Sequence, residues 1–289
     1  MYKMRHIATS LNGSYFLTAE FKEKVYCWDI DTFKCISEFN TKLDFGGNRL
    51  AITEDGTHCI AAAYSRYGVS MYDVSNGSIV WQRKDIKKTQ YVVLNPSNDK
   101  IYLGLEERSM IILNRNDGEG DEKIRSATKI YFDRLKAKPL FIKGRNQIIF
   151  DKIKIKSPTF TFLDVQPVGT GVVMSAVGSE LFYYDYTKNE ITWKIMPQNG
   201  EHFIKLSYSS DNETIYAVLY KYSGERKEPI FILYGISIFD GHIKFTFPLS
   251  STSCEFGFAK NATKLICSNG EIYELSDEIP KLTYQFNWE

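Results

Sequence analysis

The side chains that could do chemistry in this sequence are few and scattered. Its four histidines, His6, His58, His202 and His242, stand far apart with no HxH or HxxxH pair, which is not the spacing that holds a metal ion. The five cysteines, Cys27, Cys35, Cys59, Cys254 and Cys267, contain no CxxC pair and are odd in number. They read as buried free thiols, with a hairpin disulfide between Cys27 and Cys35 as the alternative. No GxSxG elbow, Walker loop or dinucleotide glycine fingerprint is present; Gly169-Thr170-Gly171 and Gly118-Glu119-Gly120 read as turns. From Asn114 to Glu122 the sequence NRNDGEGDE sets oxygen atoms at alternating positions, as a calcium loop does, but without the closing bidentate glutamate. A wide acidic hairpin is the other reading. The residue types therefore argue against an enzyme, and no metal or cofactor is expected.

Charge offers a different kind of chemistry. The chain as a whole carries a net charge of +1, so no global field selects a polyanion or a membrane surface. Locally, Lys123 to Lys156 holds 11 Lys/Arg against Asp133 and Asp151, with Tyr131, Phe132, Phe141 and Phe150 interleaved. That pattern suits a phosphate backbone or an acidic protein. It also suits an edge strand: Lys152-Ile153-Lys154-Ile155-Lys156 alternates strictly, which would turn lysines to water and guard the edge against pairing. Four Asn-x-Ser/Thr sequons, at Asn12, Asn76, Asn212 and Asn261, fall between hydrophobic runs and read as turns.

What positions these residues is a repeat. Residues 45–82 give four alternating runs, Arg49–Thr53, His58–Tyr64, Val69–Val74 and Ser78–Gln82, separated by Asp-Gly, Tyr-Gly and Asn-Gly turn signals. Equivalent apolar positions Phe16, Ile60, Ile101, Phe141, Val173, Ile215 and Leu265 recur every 32 to 50 residues. A four-stranded meander of that length cannot bury both its faces alone, so copies must stack, and radial stacking makes a propeller. The expectation is an all-β, seven-bladed β-propeller of four-stranded antiparallel blades, one domain spanning 1–289. Blade boundaries fall at about 6–42, 43–88, 89–127, 128–158, 159–200, 201–251 and 252–289. Third strands end on an acid (Asp29, Asp73, Asp151, Asp185, Asp240) that can close the following turn through backbone N–H groups.

Within that repeat, residues 24–39, KVYCWDIDTFKCISEF, resemble the second half of a WD40 repeat. Residues 72–82, YDVSNGSIVWQ, are similar both to it and to quinoprotein-like propeller repeats. The Gly-His pair that precedes the first strand of a WD40 repeat is absent; the one Gly-His here, Gly241-His242, sits between third and fourth strands. The quinoprotein resemblance implies pyrroloquinoline quinone with calcium, for which the sequence supplies no converging ligands. The WD40 resemblance implies a protein partner, and small bacterial propellers of this kind include immunity proteins that neutralise a toxin. The loops between second and third strands would meet that partner, through Phe21, Lys22, Arg66, Tyr67, Glu106, Glu107, Arg108, Arg145, Tyr222, Arg226 and Lys227. RNA binding through 123–156 is the alternative, and a quinoprotein-like enzyme a further one. With no apolar run behind the basic residues of the N-terminus and no apolar stretch near the roughly 20 residues a bilayer requires, the reading is a cytoplasmic monomer without membrane contact.

Overall fold

The computed structural model describes the chain except for residues 1–5, 11, 20–23, 43–48, 65, 134–138, 145, 151–152, 157–161, 177–179, 199, 223–227, 251–254, 277–278 and 287–289. Among the described residues are seven antiparallel sheets of four strands each, every sheet a meander in sequence order, and no helix. The protein is a seven-bladed propeller. The innermost strands are the first of each blade: His6–Thr9, Leu50–Ile52, Thr89–Leu94, Ala127–Phe132, Phe162–Val168, Glu201–Tyr208 and Phe256–Ala259. Alternation fails as a guide here because these strands and the second strands are covered on both faces. Gly171–Ala176, for example, is buried at all of its six positions. Outer fourth strands such as Ile79–Arg83 and Lys281–Gln285 are exposed along most of their length.

The core is divided among the interfaces between blades. Seven separate hydrophobic clusters form, and each joins one blade to the next. Phe39 and Leu17 of blade 1 pack with Ile52 and Tyr72 of blade 2, and the same arrangement repeats around the ring. The last cluster closes the circle: Phe16 and Ile30 of blade 1 meet Ala259, Ile266, Ile272 and Phe286 of blade 7. Closure is aromatic, without strand exchange among the described residues. Phe286 lies 4.6 Å from Trp28, and Tyr284 stacks on Phe33 at 4.4 Å. Lys281–Gln285 completes blade 7 from its own chain segment.

Turns lock the blades in register. Asp29 accepts hydrogen bonds from the amides of Asp31 and Thr32 and from the Thr32 hydroxyl; Asp73 and Asp185 do the same for Ser75 and for Thr187. Where blades 3 and 7 carry Asn114 and Glu274 in the acidic place, each takes a lysine from its own second strand, Lys100 and Lys264. A fourth-strand aromatic also sits on the turn glycine of the following blade. A Cβ on Gly118 would fall 2.7 Å from the Trp81 ring, and one on Gly241 would fall 2.8 Å from Trp193. Trp81 and Trp193 then donate their indole N–H to Arg115 and Ile238 carbonyls, both at 2.7 Å.

Blade 4 ends in the strands Gln147–Phe150 and Ile153–Lys156, and its sheet begins at Ala127, one residue before the expected boundary. No helix among the described residues is long and apolar enough to cross a membrane.

Candidate functional site

The meander sends the second-to-third-strand loops and the fourth-to-first connections to one face of the ring. On blades 2 and 3 these segments are stitched together. Lys88 donates its amide to the Tyr64 carbonyl, and Glu106 donates its own to the Lys88 carbonyl, both at 2.9 Å. The Glu106 carboxylate takes the Tyr64 hydroxyl and lies 3.4 Å from Lys88 Nζ. Lys88 and Arg108 both hold φ of +59°, a left-handed backbone that side-chain-bearing residues adopt at a cost of about 1 kcal/mol. The rim is thus pre-shaped.

Above that scaffold stands a cation–aromatic cluster. The Arg66 guanidinium lies 4.9 Å from the Tyr67 ring centre and donates to its hydroxyl at 2.8 Å, and Lys42 lies over the same ring at 5.7 Å. Arg49 covers Tyr64 at 5.1 Å. Such contacts contribute about 0.5–1 kcal/mol when exposed and, more to the point, hold the arginine in place. Around it Lys84, Lys87, Arg108, Arg125 and Lys156 are exposed and pair with no carboxylate among the described residues. Acids on this sector are already engaged: Glu107 with Lys123 at 2.7 Å, and Asp85 with Arg83 at 2.7 Å. Among the described residues, the sector from blade 2 to blade 4 carries an unpaired positive excess.

Of the residues singled out in the sequence, Arg66, Tyr67, Glu106, Glu107 and Arg108 come together on this rim. Glu106 and Glu107 are internal partners there, each already engaged with a lysine of its own chain. Tyr222 is 52% exposed but sits on blade 6, away from the cluster. Phe21, Lys22, Arg145, Arg226 and Lys227 lie outside the described residues. The fourth-to-first connections, with Lys42, Lys84, Lys87 and Lys88, were missed, although the run Arg83-Lys84-Asp85-Ile86-Lys87-Lys88 is visible in the sequence.

The described residues of the basic stretch 123–156 do not form one patch; Arg134, Lys136, Lys138, Arg145 and Lys152 lie outside the described residues. Lys123 is paired on blade 3, Lys129 points into the interior, and Lys154 and Lys156 flank buried Ile155 on the outermost strand of blade 4, as an edge guard does. Its aromatics are packed between blades: Phe132 and Phe141 in one cluster, Tyr131 and Phe150 in the next. The acidic turn after Asn114 is docked by blade 2, with Arg83 donating to the Gly118 and Gly120 carbonyls at 2.9 and 3.3 Å. Asp117 closes that turn on the Glu119 amide. Among the described residues no three His, Cys, Asp or Glu side chains converge on a metal position.

Cys27, Cys35, Cys59 and Cys267 are free. Burial pushes the Cys27 thiol up to about 12 and raises Cys59 and Cys267 as well, so these three are poor nucleophiles. Cys35 is exposed rather than buried. A bulge between Cys27 and Trp28 pairs Cys27 with Ser37 and Trp28 with Cys35, which separates the two cysteines along the hairpin.

The inner strands enclose a cavity of about 460 Å³ on the ring axis. All seven blades place an ionisable group on or beside it: His6, Glu54, Tyr91, Lys129 with Tyr131, Asp164, Lys205 and Glu255. Asp164 is the best satisfied. Its Oδ2 accepts the Leu206 amide at 2.7 Å, its carboxylate takes the Tyr131 hydroxyl, and Lys129 is close by. Lys129 Nζ donates to the Leu163 carbonyl at 3.1 Å, and burial lowers its pKa. Glu255 accepts the Ile7 amide, yet burial outweighs that bond and the attraction of Lys205 and raises its pKa. Nothing in the sequence pattern marked this ring, because each group sits singly in its own repeat.

No protein-family model matches the sequence, and no curated protein is detectably similar. Solved structures are similar in fold. One is the C-terminal WD40 domain of Sif2, at 11% identity and a TM-score of 0.68, covering 98% of this chain and 79% of that one. Another is the β-propeller domain of Cps50 (Swd1) from Myceliophteria thermophila, at 12% identity and a TM-score of 0.69, covering 95% of this chain and 94% of that one. The fold is that of WD40 propellers.

Proposed function

We propose that the protein is a non-enzymatic binding module that docks an acidic protein surface on the rim of blades 2 to 4. The observation that carries this reading is the rigid cluster of Arg66, Tyr67 and Lys42 set among cations with no internal partner. Arginine and tyrosine held in one rotamer dominate interface energetics because little entropy is lost on docking. In the sharper form that the WD40 resemblance implies, the partner is a toxin that the protein neutralises. The competing occupant of a basic rim is a nucleic acid. It is disfavoured because Tyr131, Phe132, Phe141 and Phe150 are packed between blades and leave few rings on which bases could stack.

The test is capture from native lysate with the wild type and with the double variant Arg66→Glu/Arg108→Glu. A stoichiometric protein partner that survives nuclease treatment and is lost in the variant supports the reading. No stoichiometric partner, or one held equally by the variant, refutes it. Material lost on nuclease treatment would identify the nucleic-acid alternative.

A further inference from the structure

On the reading that the rim of blades 2 to 4 docks an acidic protein, we propose that it holds a seat for one carboxylate side chain of that partner, filled in the free protein by Glu106. Three separate segments build the seat. The Tyr64 hydroxyl donates to the Glu106 carboxylate, Lys88 Nζ lies 3.4 Å from it, and the Arg49 guanidinium lies 5.1 Å from the Tyr64 ring centre. A hydroxyl and an ammonium aimed at one carboxylate would serve an aspartate or glutamate from outside equally well.

The Glu106 carboxylate is not what shapes this part of the rim. Backbone alone joins the segments, through the Lys88 amide on the Tyr64 carbonyl and the Glu106 amide on the Lys88 carbonyl, both at 2.9 Å. Both ends of the ion pair are open to water, with the Lys88 side chain 60% exposed and that of Glu106 46%. Such a pair contributes little net and is given up readily. The surroundings favour a replacement, because Lys84, Lys87 and Arg108 are exposed and pair with no carboxylate among the described residues. A partner with several acids gains those charges and sets one carboxylate on Tyr64 and Lys88, while the Glu106 side chain swings into water. Glu106 is then a brake, released only by a partner of higher negative charge. Glu107 provides the contrast: it takes Lys123 at 2.7 Å and the Ser109 hydroxyl at 3.0 Å, and neither belongs to the seat.

The test is fluorescence anisotropy with a dye-labelled oligoglutamate of about ten residues, in about 0.15 M salt to screen long-range charge. Glu106→Gln keeps an oxygen for the Tyr64 hydroxyl and should tighten binding by about threefold to fivefold, the upper end of one exposed ion pair. Glu107→Gln removes the same charge beside the seat and should gain less than about twofold. Tyr64→Phe added to Glu106→Gln should erase most of the gain, because the incoming carboxylate loses its hydroxyl donor. No gain for Glu106→Gln, equal gains for the two glutamine variants, or a gain untouched by Tyr64→Phe overturns the seat; if Arg66→Glu/Arg108→Glu still abolishes binding, the rim itself stands. Binding that survives Arg66→Glu/Arg108→Glu overturns the rim and the seat together.

Discussion

The closing seam gives the sharpest mechanical prediction. Phe286 is 7% exposed and touches three rings: Trp28 at 4.6 Å and Phe16 at 6.2 Å in blade 1, and Tyr284 at 4.7 Å in its own blade. Phe286→Ala removes a buried phenyl and leaves a cavity, a change that costs about 3–5 kcal/mol. Within that, the two inter-blade ring pairs account for about 0.5–1.5 kcal/mol each. Domains are stable by about 5–15 kcal/mol, so the loss is a large fraction of the whole. Urea unfolding monitored by far-ultraviolet circular dichroism measures the size, and hydrogen exchange measures the place. Because no strand crosses from blade 7 to blade 1 among the described residues, the faster exchange should appear in Phe256–Ala259, Glu271–Glu274 and Tyr15–Ala19. It should be absent from blades 3 to 5. A loss below about 1 kcal/mol, or exchange that rises equally in every blade, refutes the closure described above.

Other consequences follow from single contacts. Trp193→Phe replaces the indole by a smaller ring and leaves the buried Ile238 carbonyl without its donor, and should lower stability by at least about 1–3 kcal/mol in urea unfolding; an unchanged midpoint would mean that the bond contributes nothing. Gly118→Val puts a branched side chain at φ +69° and 2.7 Å from Trp81, and should lower Tm by more than Gly144→Val, where φ is +63° but no atom lies within 4 Å. Asp55 is held at about 2, down from its usual 3.8: burial works to raise it, and hydrogen bonds from Thr53 and Thr57 outweigh burial. Its folded value lies below the unfolded one, so the stability it brings is present above about pH 4 and disappears as pH falls towards 2. Thr57→Val should flatten that part of the acid-unfolding curve. Arg108→Gly relieves the left-handed backbone, and should raise stability by about 1 kcal/mol while weakening partner binding.

The fold was legible in the sequence because its signals repeat. Asn-Gly at 76–77 and Asp-Gly at 55–56 do close turns, with Gly77 and Gly56 at φ of +70° and +71°. Phe16, Ile60 and Ile101 are all fully enclosed second-strand residues, but only Phe16 and Ile101 share one position: both face the preceding blade, whereas Ile60 faces the following one and Cys59 takes the equivalent place in blade 2. What was hidden is whatever depends on bringing different repeats together. Arg83 bonding Gly118 in the next blade, or Lys205 standing beside Lys129 and Glu255, joins residues tens of positions apart with no local periodicity to announce them. The rim was half visible. Arg66-Tyr67 stands out as a loop pair, whereas Lys84, Lys87 and Lys88 read as an ordinary linker until the ring sets Lys88 on the Tyr64 carbonyl. Alternation placed Lys154 and Lys156 correctly on an outer edge, and could not place Lys129, whose strand is the innermost of its blade.

The central claim is that outside contacts are made by the basic rim of blades 2 to 4, and amine-reactive cross-linking of the captured complex tests it most directly. The rim places Lys42, Lys84, Lys87 and Lys156 on one face, while Lys34 and Lys188 lie in third-to-fourth-strand turns on the other. Cross-links from the partner should concentrate on the first four and spare the last two. Cross-links concentrated on Lys34 and Lys188 would contradict the account.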